Sequence, residues 1–175
     1  MALQYININK NKDKKIIDSV FKDLVICVHF INQKLINNKK NDFNVSFEIT
    51  TILLFSLFFG SKLNNNNEFK NNNQFLMDLF VKDLDYSFRN IGVGDMSIGK
   101  YVKKYVKKFY FRISQLEIIF LDKNSNKFNE FLDKYRIIDK NDENNISKFF
   151  DISNEIIARA KKNKDYSSIY KELFN

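Results

Sequence analysis

Residues 98–121 read IGKYVKKYVKKFYFRISQLEIIFL, and this stretch decides the fold class of the chain. It contains no proline, and its apolar and basic side chains recur in steps of three and four, the period of an α-helix. It predicts a long amphipathic helix with one face in a core and a basic face outside. The apolar face would carry Val102, Val106, Phe109, Ile113 and Leu116. The basic face would carry Lys100, Lys103, Lys104, Lys107, Lys108 and Arg112.

The rest of the chain has the same helical character. Proline is absent from the 175 residues and glycine occurs only four times, whereas turn-rich β folds use both freely. Further helical patterns cover residues 14–35, 45–62, 76–91, 128–135 and 146–160, with Asn44 or Ser46 as N-cap of the second helix. A short helix at 166–174 would be the last. We predict an all-α fold, a single bundle of about six to seven helices.

The chain is expected to divide into three parts. Residues 1–13 form an N-terminal arm, extended over its first ten residues, residues 14–138 the main helical domain, and residues 139–175 a C-terminal helical extension packed on it. The asparagine-rich stretch Asn64–Asn73 is predicted to link the second and third helices. Because lysine and isoleucine are also heavily used, we attribute the asparagine runs to an AT-rich genome rather than to function.

Net charge and apolar content limit the classes of partner and location. The formal net charge of +8 favours an anionic partner, either RNA, an anionic membrane surface or an acidic protein, and charge alone does not choose among them. The single cysteine, Cys27, excludes an intramolecular disulfide and suits a reducing compartment.

Residues 1–15 lack the apolar centre of a secretory signal and the arginines of a transit peptide. The apolar run 49–59 is shorter than the about 20 residues of a spanning helix, so we expect a core helix, with a segment at a membrane interface as the alternative.

The basic face of the helix at 98–121 is the first candidate binding surface. No carboxylate occurs between Asp95 and Glu117, so nothing on this helix neutralises the lysines. Like charges at these spacings repel one another by a few tenths of a kcal/mol each. An anion-binding face is therefore predicted, with a merely solvated lysine face as the alternative. Phe111 projects from the same arc and could stack on a base, fill a partner's groove, or pack against the asparagine-rich linker.

The segment Gly92-Val93-Gly94-Asp95 is predicted to form the turn between the third and fourth helices. One glycine would close the third helix in a left-handed conformation, and Asp95 or Ser97 would cap the fourth. No strand pattern precedes it and the lysine spacing differs from that of a phosphate-binding loop, so a structural role is favoured. On the third helix, Asp85 and Arg89 have the spacing of a surface ion pair.

Catalytic and metal-binding patterns are weak. His29 is the only histidine and shares a helix edge with Lys22 and Gln33, while Cys27 would point in another direction. One histidine and one cysteine do not supply a zinc site or a nucleophile–base pair. We therefore predict that the protein is not an enzyme and has no catalytic residues, no metal, no cofactor and no small-molecule substrate.

One segment resembles a known family. Residues 83–104, DLDYSFRNIGVGDMSIGKYVKK, are similar to the signature of the ubiquinol–cytochrome c chaperone family, which has an acidic residue, an arginine, a Gly-Val-Gly-Asp turn and a Val-Lys-Lys helix in this order. Further on, Phe109-Tyr110-Phe111-Arg112 looks like the family's Phe-Tyr-Gly-Arg, with Phe111 in place of glycine. The similarity covers roughly residues 15–138, and no counterpart is identified beyond Asp139.

The resemblance implies an all-helical assembly factor for cytochrome b of the bc1 complex. The expected partner is nascent cytochrome b or another membrane protein, with contacts to the ribosome and to an anionic membrane as further expectations. A bacterial protein in the cytoplasm, or at the cytoplasmic face of the inner membrane, is expected. The alternative function is a basic helical module that binds RNA or the ribosome directly. The predicted partner contacts are Arg89, Lys100, Lys103, Lys104, Lys107, Lys108, Phe111 and Arg112, with Gly92, Gly94 and Asp95 forming the turn that orients them.

Overall fold

The computed structural model describes residues 2–36, 42–64, 68–139, 141–162, 166, 169–171 and 173, with the backbone alone for 2–13 and 68–71. The described residues contain no strand, and the all-α bundle predicted from the sequence is confirmed. The last short helix, predicted at 166–174, is not found in the described residues of that segment, since 166, 169–171 and 173 form bends and turns and the other four lie outside the described part. The helices are α1 (Ala2–Lys34), α2 (Phe43–Leu63), α3 (Glu68–Asn90), α4 (Asp95–Leu121), α5 (Ser125–Lys134) and α6 (Glu143–Lys162).

Helix α2 is the centre of the bundle. It contacts α1, α3, α4 and α6, and nearly all of its side chains from Phe47 to Ser61 are buried. By length and composition it could cross a membrane, with a mean hydropathy of 1.6 over its most apolar window. However, 67% of that window is buried inside the bundle, so here α2 is the core helix expected from its apolar sequence.

Helices α3 and α4 pack against each other and against the core through their apolar faces. On α4, Phe109 and Leu116 are fully buried, while Val102, Val106 and Ile113 are partly buried beside them. The ring of Phe109 lies 5.0 Å from that of Phe80 on α3, centroid to centroid. The face of α4 predicted to enter the core therefore does so, and the lysines are left on the outside.

Two predictions about the backbone near helix ends are wrong. Residues 2–10 are not extended, because α1 already begins at Ala2. No proline or glycine interrupts residues 2–34, and each residue added to an existing helix adds one hydrogen bond. The predicted linker is also too long, since α3 starts at Glu68, and residues 65–67 lie outside the described part. Asn73 belongs to the helix and donates from Nδ2 to Ser61 Oγ at 3.1 Å.

The N-cap of α2 also differs from the prediction. Asp42 caps the helix, and its Oδ1 accepts from the Asn44 backbone N–H at 2.7 Å. Ser46, one of the two predicted caps, accepts instead from Asn32 Nδ2 of α1 at 2.8 Å. The capping pattern of the sequence placed the helix start within a few residues but did not distinguish among neighbouring polar side chains.

The segment that follows α6 lies against the first three helices. Tyr170 donates from its hydroxyl to the Leu53 carbonyl at 3.1 Å, and Tyr166 is hydrogen-bonded to Asn73. The Cys27 thiol faces the Tyr170 carbonyl at 3.9 Å. Burial and the nearby Asp23 raise the pKa of Cys27 to about 12, so this thiol stays protonated and poorly nucleophilic. The division of the chain at residues 13 and 138 stays a prediction.

Candidate partner-binding surface

The exposed side of α4 carries four solvent-facing lysines: Lys100, Lys103, Lys104 and Lys107. Among the residues that the structure describes, no carboxylate lies within ion-pair distance of any of the four. The helix therefore presents four positive charges within about two turns, all available to a partner. We call these four residues the basic zone.

Lys108 stands at the edge of the basic zone rather than within it. Its side chain is half-buried, and its ammonium lies 4.3 Å from the centroid of the Tyr105 ring. Burial and the neighbouring charge of Lys104 lower the pKa of Lys108. Part of its charge is thus directed at an aromatic face within the protein.

Arg112 is turned away from the surface. Its guanidinium forms a bidentate ion pair with Glu48 of α2, with Nε–Oε2 at 2.9 Å and Nη2–Oε1 at 3.0 Å. The two side chains are only 11% and 8% exposed. The guanidinium also stacks on Tyr135, 3.4 Å from the ring centroid. Its charge is neutralised inside the fold, so the structure does not bring Arg112 together with the lysines; its role in partner binding stays a prediction.

Arg89 lies on the surface but is already paired. Its Nε donates to Asp85 Oδ1 at 2.7 Å, which confirms the predicted pair on α3, and its Nη1 pairs with Asp95. The hydrogen bond that Arg89 donates to Asp85 and the charges of the two carboxylates raise the pKa of Arg89. Asp95 therefore links the end of α3 to the start of α4. It does not cap α4 as predicted, because the N-cap is Gly94, without a side-chain hydrogen bond.

The turn between α3 and α4 depends on Gly92. Its φ of +86° lies in the left-handed region, and the Val93 N–H donates to the Phe88 carbonyl at 3.0 Å, which closes the helix. The predicted closing glycine is therefore confirmed. Gly94 has a φ of −64°, which any residue can adopt. Of the two glycines, only Gly92 is required by backbone conformation.

Gly92→Ala is expected to lower the free energy of unfolding by roughly 1–2 kcal/mol, because alanine is strained in the left-handed region. In the described structure no atom lies within 4 Å of a Cβ built at Gly92. The loss of stability would therefore come from backbone strain and not from a steric clash. Urea denaturation followed by circular dichroism measures the change. Gly94→Ser is the matched control and should be neutral or slightly stabilising, since serine is a good N-cap. Equal losses in both variants would contradict this account of the turn.

The far half of α4 exposes apolar side chains. Phe111 is 56% exposed and Tyr110 is 59% exposed, and the same is true of Ile118 at 57% and Leu121 at 62%. Of these residues, Phe111 was predicted to lie on the binding surface, and Ile118 and Leu121 were not. The sequence does indicate that Ile118 and Leu121 lie on this face of the helix. Steps of three and four residues lead from Lys107 through Phe111 and Ser114 to both.

Catalytic and metal-binding constellations are not found in the described ranges. His29 is exposed on the edge of α1 with Lys22 and Gln33. No group of three or more His, Cys, Asp or Glu side chains that could hold a metal ion occurs among the described residues. What the exposed surface of α4 offers is therefore charge and apolar contact area.

A sequence model described as "Ubiquinol-cytochrome C chaperone" matches residues 38–152 of the chain, well over half of it. The chain belongs to the ubiquinol–cytochrome c chaperone family. The match includes α2, α3, α4, α5 and the first half of α6, so it continues beyond the limit near Asp139 expected from the sequence. Membership in a chaperone family indicates a non-enzymatic role acting on a client protein.

The fold of this family member is shared with a solved structure. The crystal structure of the Cbp3 homolog from Brucella abortus matches with a TM-score of 0.76 at 19% sequence identity, covering 98% of this chain and 94% of that one. At this identity the likeness concerns the fold alone, but it includes α1 and the segment after residue 152, which the family model does not reach. Comparison with curated proteins gives no match.

Proposed function

We propose that this protein is an assembly chaperone of the bc1 complex that binds newly made cytochrome b, or a related membrane protein, through the basic zone of α4. Family membership supports the class of role. The observation that carries the contact is the basic zone, four exposed lysines without a carboxylate partner in the described part of the chain. We further place the protein in the cytoplasm or at the cytoplasmic face of the inner membrane, where such a client would be reached.

The energetics of the basic zone favour a partner over a purely solvated surface. Lysines at spacings of three and four repel one another, a cost of a few tenths of a kcal/mol for each pair. The fold neutralises Arg89 and Arg112 with carboxylates, whereas no carboxylate among the described residues pairs with these four lysines. An acidic segment of a client would remove the repulsion and gain charge-assisted contacts.

A second candidate function is direct binding of RNA or the ribosome. The observation in its favour is the exposure of Phe111 and Tyr110 beside the basic zone, since aromatic rings among lysines can stack on bases. This function predicts binding to naked RNA that weakens steeply with salt.

The double variant K103E/K104E is expected to lose capture of cytochrome b, with binding weaker by at least about tenfold, because two attractive contacts become repulsive. Its helical circular dichroism should be unchanged, since both side chains are exposed. The measurement is cross-linking in native cells, affinity capture and mass spectrometry of the partners. K161E/K162E carries the same change of charge on α6, also at exposed positions, and should capture normally.

Undiminished capture of cytochrome b by K103E/K104E would contradict the proposed contact. Recovery of RNA or ribosomal proteins without cytochrome b, lost in the same variant, would instead support the second function.

A further inference from the structure

The exposed face of α4 extends well beyond the basic zone. An α-helix turns by about 100° per residue about its axis. The residues on the same side of α4 as the four lysines therefore all point within roughly 60° of one direction around that axis. All of them are exposed. They are Met96, Lys100, Lys103, Lys104, Lys107, Phe111, Ser114, Ile118 and Leu121. The same face is thus basic in its first half and apolar in its second.

The second half forms what we call the apolar zone, made of Phe111, Ile118 and Leu121. These side chains are 56%, 57% and 62% exposed. Ser114, which lies among them, donates its hydroxyl to the Phe111 carbonyl at 2.9 Å, so its polar group is directed at the helix backbone. The surface between Phe111 and Leu121 is therefore apolar along about three turns.

The carboxylates beside the apolar zone are neutralised. Glu117 pairs with Lys62 at 2.8 Å on one flank, and Asp122 pairs with Lys127 at 2.8 Å at the end of the helix. Within the described part of the chain, the only charges along this face without an ion-pair partner are those of the basic zone. A partner that covers the whole face must therefore be negative at one end and apolar at the other.

We infer that α4 binds a polypeptide segment in which an acidic stretch is joined directly to an apolar one. This inference rests on the proposed function and specifies the client segment. The acidic stretch would lie along the about 10 Å from Lys100 to Lys107, and the apolar stretch along the about 15 Å from Phe111 to Leu121. A membrane protein supplies such a segment where an acidic loop adjoins one of its apolar helices.

The placement of the lysines disfavours a lipid bilayer and RNA as the ligand. A helix that lies in a membrane interface has its apolar side chains on one line and its lysines along the flanks. Here Lys100 and Lys107 lie on the same side of α4 as Phe111 and Ile118. Inserting the apolar side chains into a bilayer would therefore bring the lysine ammonium groups to the same depth in the membrane. RNA could use the lysines and Phe111, but the aliphatic Ile118 and Leu121 offer it no stacking surface.

A defined peptide tests the inference. A fluorescent peptide of about 22 residues, long enough as a helix to span both zones, carries a glutamate–alanine block followed by a leucine–alanine block. The full chain is expected to bind it, as measured by fluorescence anisotropy. A peptide of identical composition with the glutamates and leucines interleaved should bind at least about tenfold more weakly, because it cannot satisfy both zones together.

The matching change in the protein is F111S/I118S/L121S, which removes the apolar zone at exposed positions. The loss of apolar contact area should weaken binding of the block peptide by at least about tenfold. The control I26S/Y86S replaces side chains that are 63% and 64% exposed on α1 and α3, and should bind like the unmodified chain. Unchanged binding by F111S/I118S/L121S, or equal affinity for the block and interleaved peptides, would overturn the inference. So would flotation with phosphatidylglycerol vesicles in the absence of peptide binding.

Capture of cytochrome b separates this inference from the proposed function. If K103E/K104E loses the client while F111S/I118S/L121S retains it, the basic contact stands and the inference is overturned. If K103E/K104E captures the client normally, the proposed function itself is contradicted, whatever the peptide shows.

Discussion

Glu48→Ala is expected to destabilise the fold by about 3–5 kcal/mol, because it leaves the Arg112 guanidinium buried without its counter-charge. Arg112 is only 11% exposed and donates to both oxygens of Glu48, so water cannot readily replace the carboxylate. Equilibrium urea unfolding followed by circular dichroism gives the difference. The pair joins α2 to α4, so the loss should appear in the cooperative unfolding of the bundle and not as local fraying.

The double replacement E48M/R112M is the control. Since an isolated buried charge is the main cost, replacing both partners by apolar side chains should be close to neutral. The same variant tests the role of Arg112 in binding, because it removes the guanidinium while the bundle stays folded. Normal capture of cytochrome b by this variant would show that Arg112 acts in the fold alone. A Glu48→Ala variant as stable as the unmodified chain would contradict the ion-pair account.

Gly60→Ala is expected to destabilise the protein by roughly 1–3 kcal/mol, because α2 and α6 are in direct backbone contact at this position. A Cβ at Gly60 would lie 2.5 Å from the Ile157 carbonyl oxygen, 2.7 Å from Ala160 Cβ and 3.0 Å from Ile157 Cα. Two of these atoms are backbone, so no side-chain rotation relieves the clash and α6 must move. Thermal and urea unfolding measure the effect.

Gly99→Ala is the matched control for that substitution. Gly99 is also helical and exposed, and no atom lies within 4 Å of its would-be Cβ. There the same chemical change should stabilise the protein by about 0.5–1 kcal/mol through helix propensity. Opposite signs at the two glycines would confirm that the α2–α6 contact, and not propensity, determines the need for Gly60. A neutral or stabilising Gly60→Ala would contradict the close approach.

The helices and one turn of the candidate surface were predictable because their signals are local. The three-and-four spacing of apolar residues in 98–121 identified which side of α4 is buried, and the structure buries that side. Gly92 was predicted to close α3 because a left-handed residue is needed within one turn of the helix end. The Asp85–Arg89 pair followed from a spacing of four.

Three features were missed, each for a different physical reason. Asp95 had the position of an N-cap, but Arg89 pairs with it across the turn. The arm at the N-terminus has only a few apolar residues, Leu3, Tyr5, Ile6 and Ile8, and helix propagation in α1 outweighs that weak pattern. Ile118 and Leu121 look like core residues by type, and only their place on the line of Lys107 and Phe111 indicates exposure.

By itself, the sequence determined the all-α class, the positions of most helices, the closing turn at Gly92 and the side of α4 on which the lysines lie. These depend on hydrogen bonds and spacings within a few residues, which periodicity records. Only the tertiary structure decided which charges remain free, since Glu48, which neutralises Arg112, is 64 residues away on another helix. It also decided the contact of Gly60 with α6 and the joining of a basic and an apolar zone on one outer face. Pairing and burial depend on which elements become neighbours in space, and a helical period does not encode that.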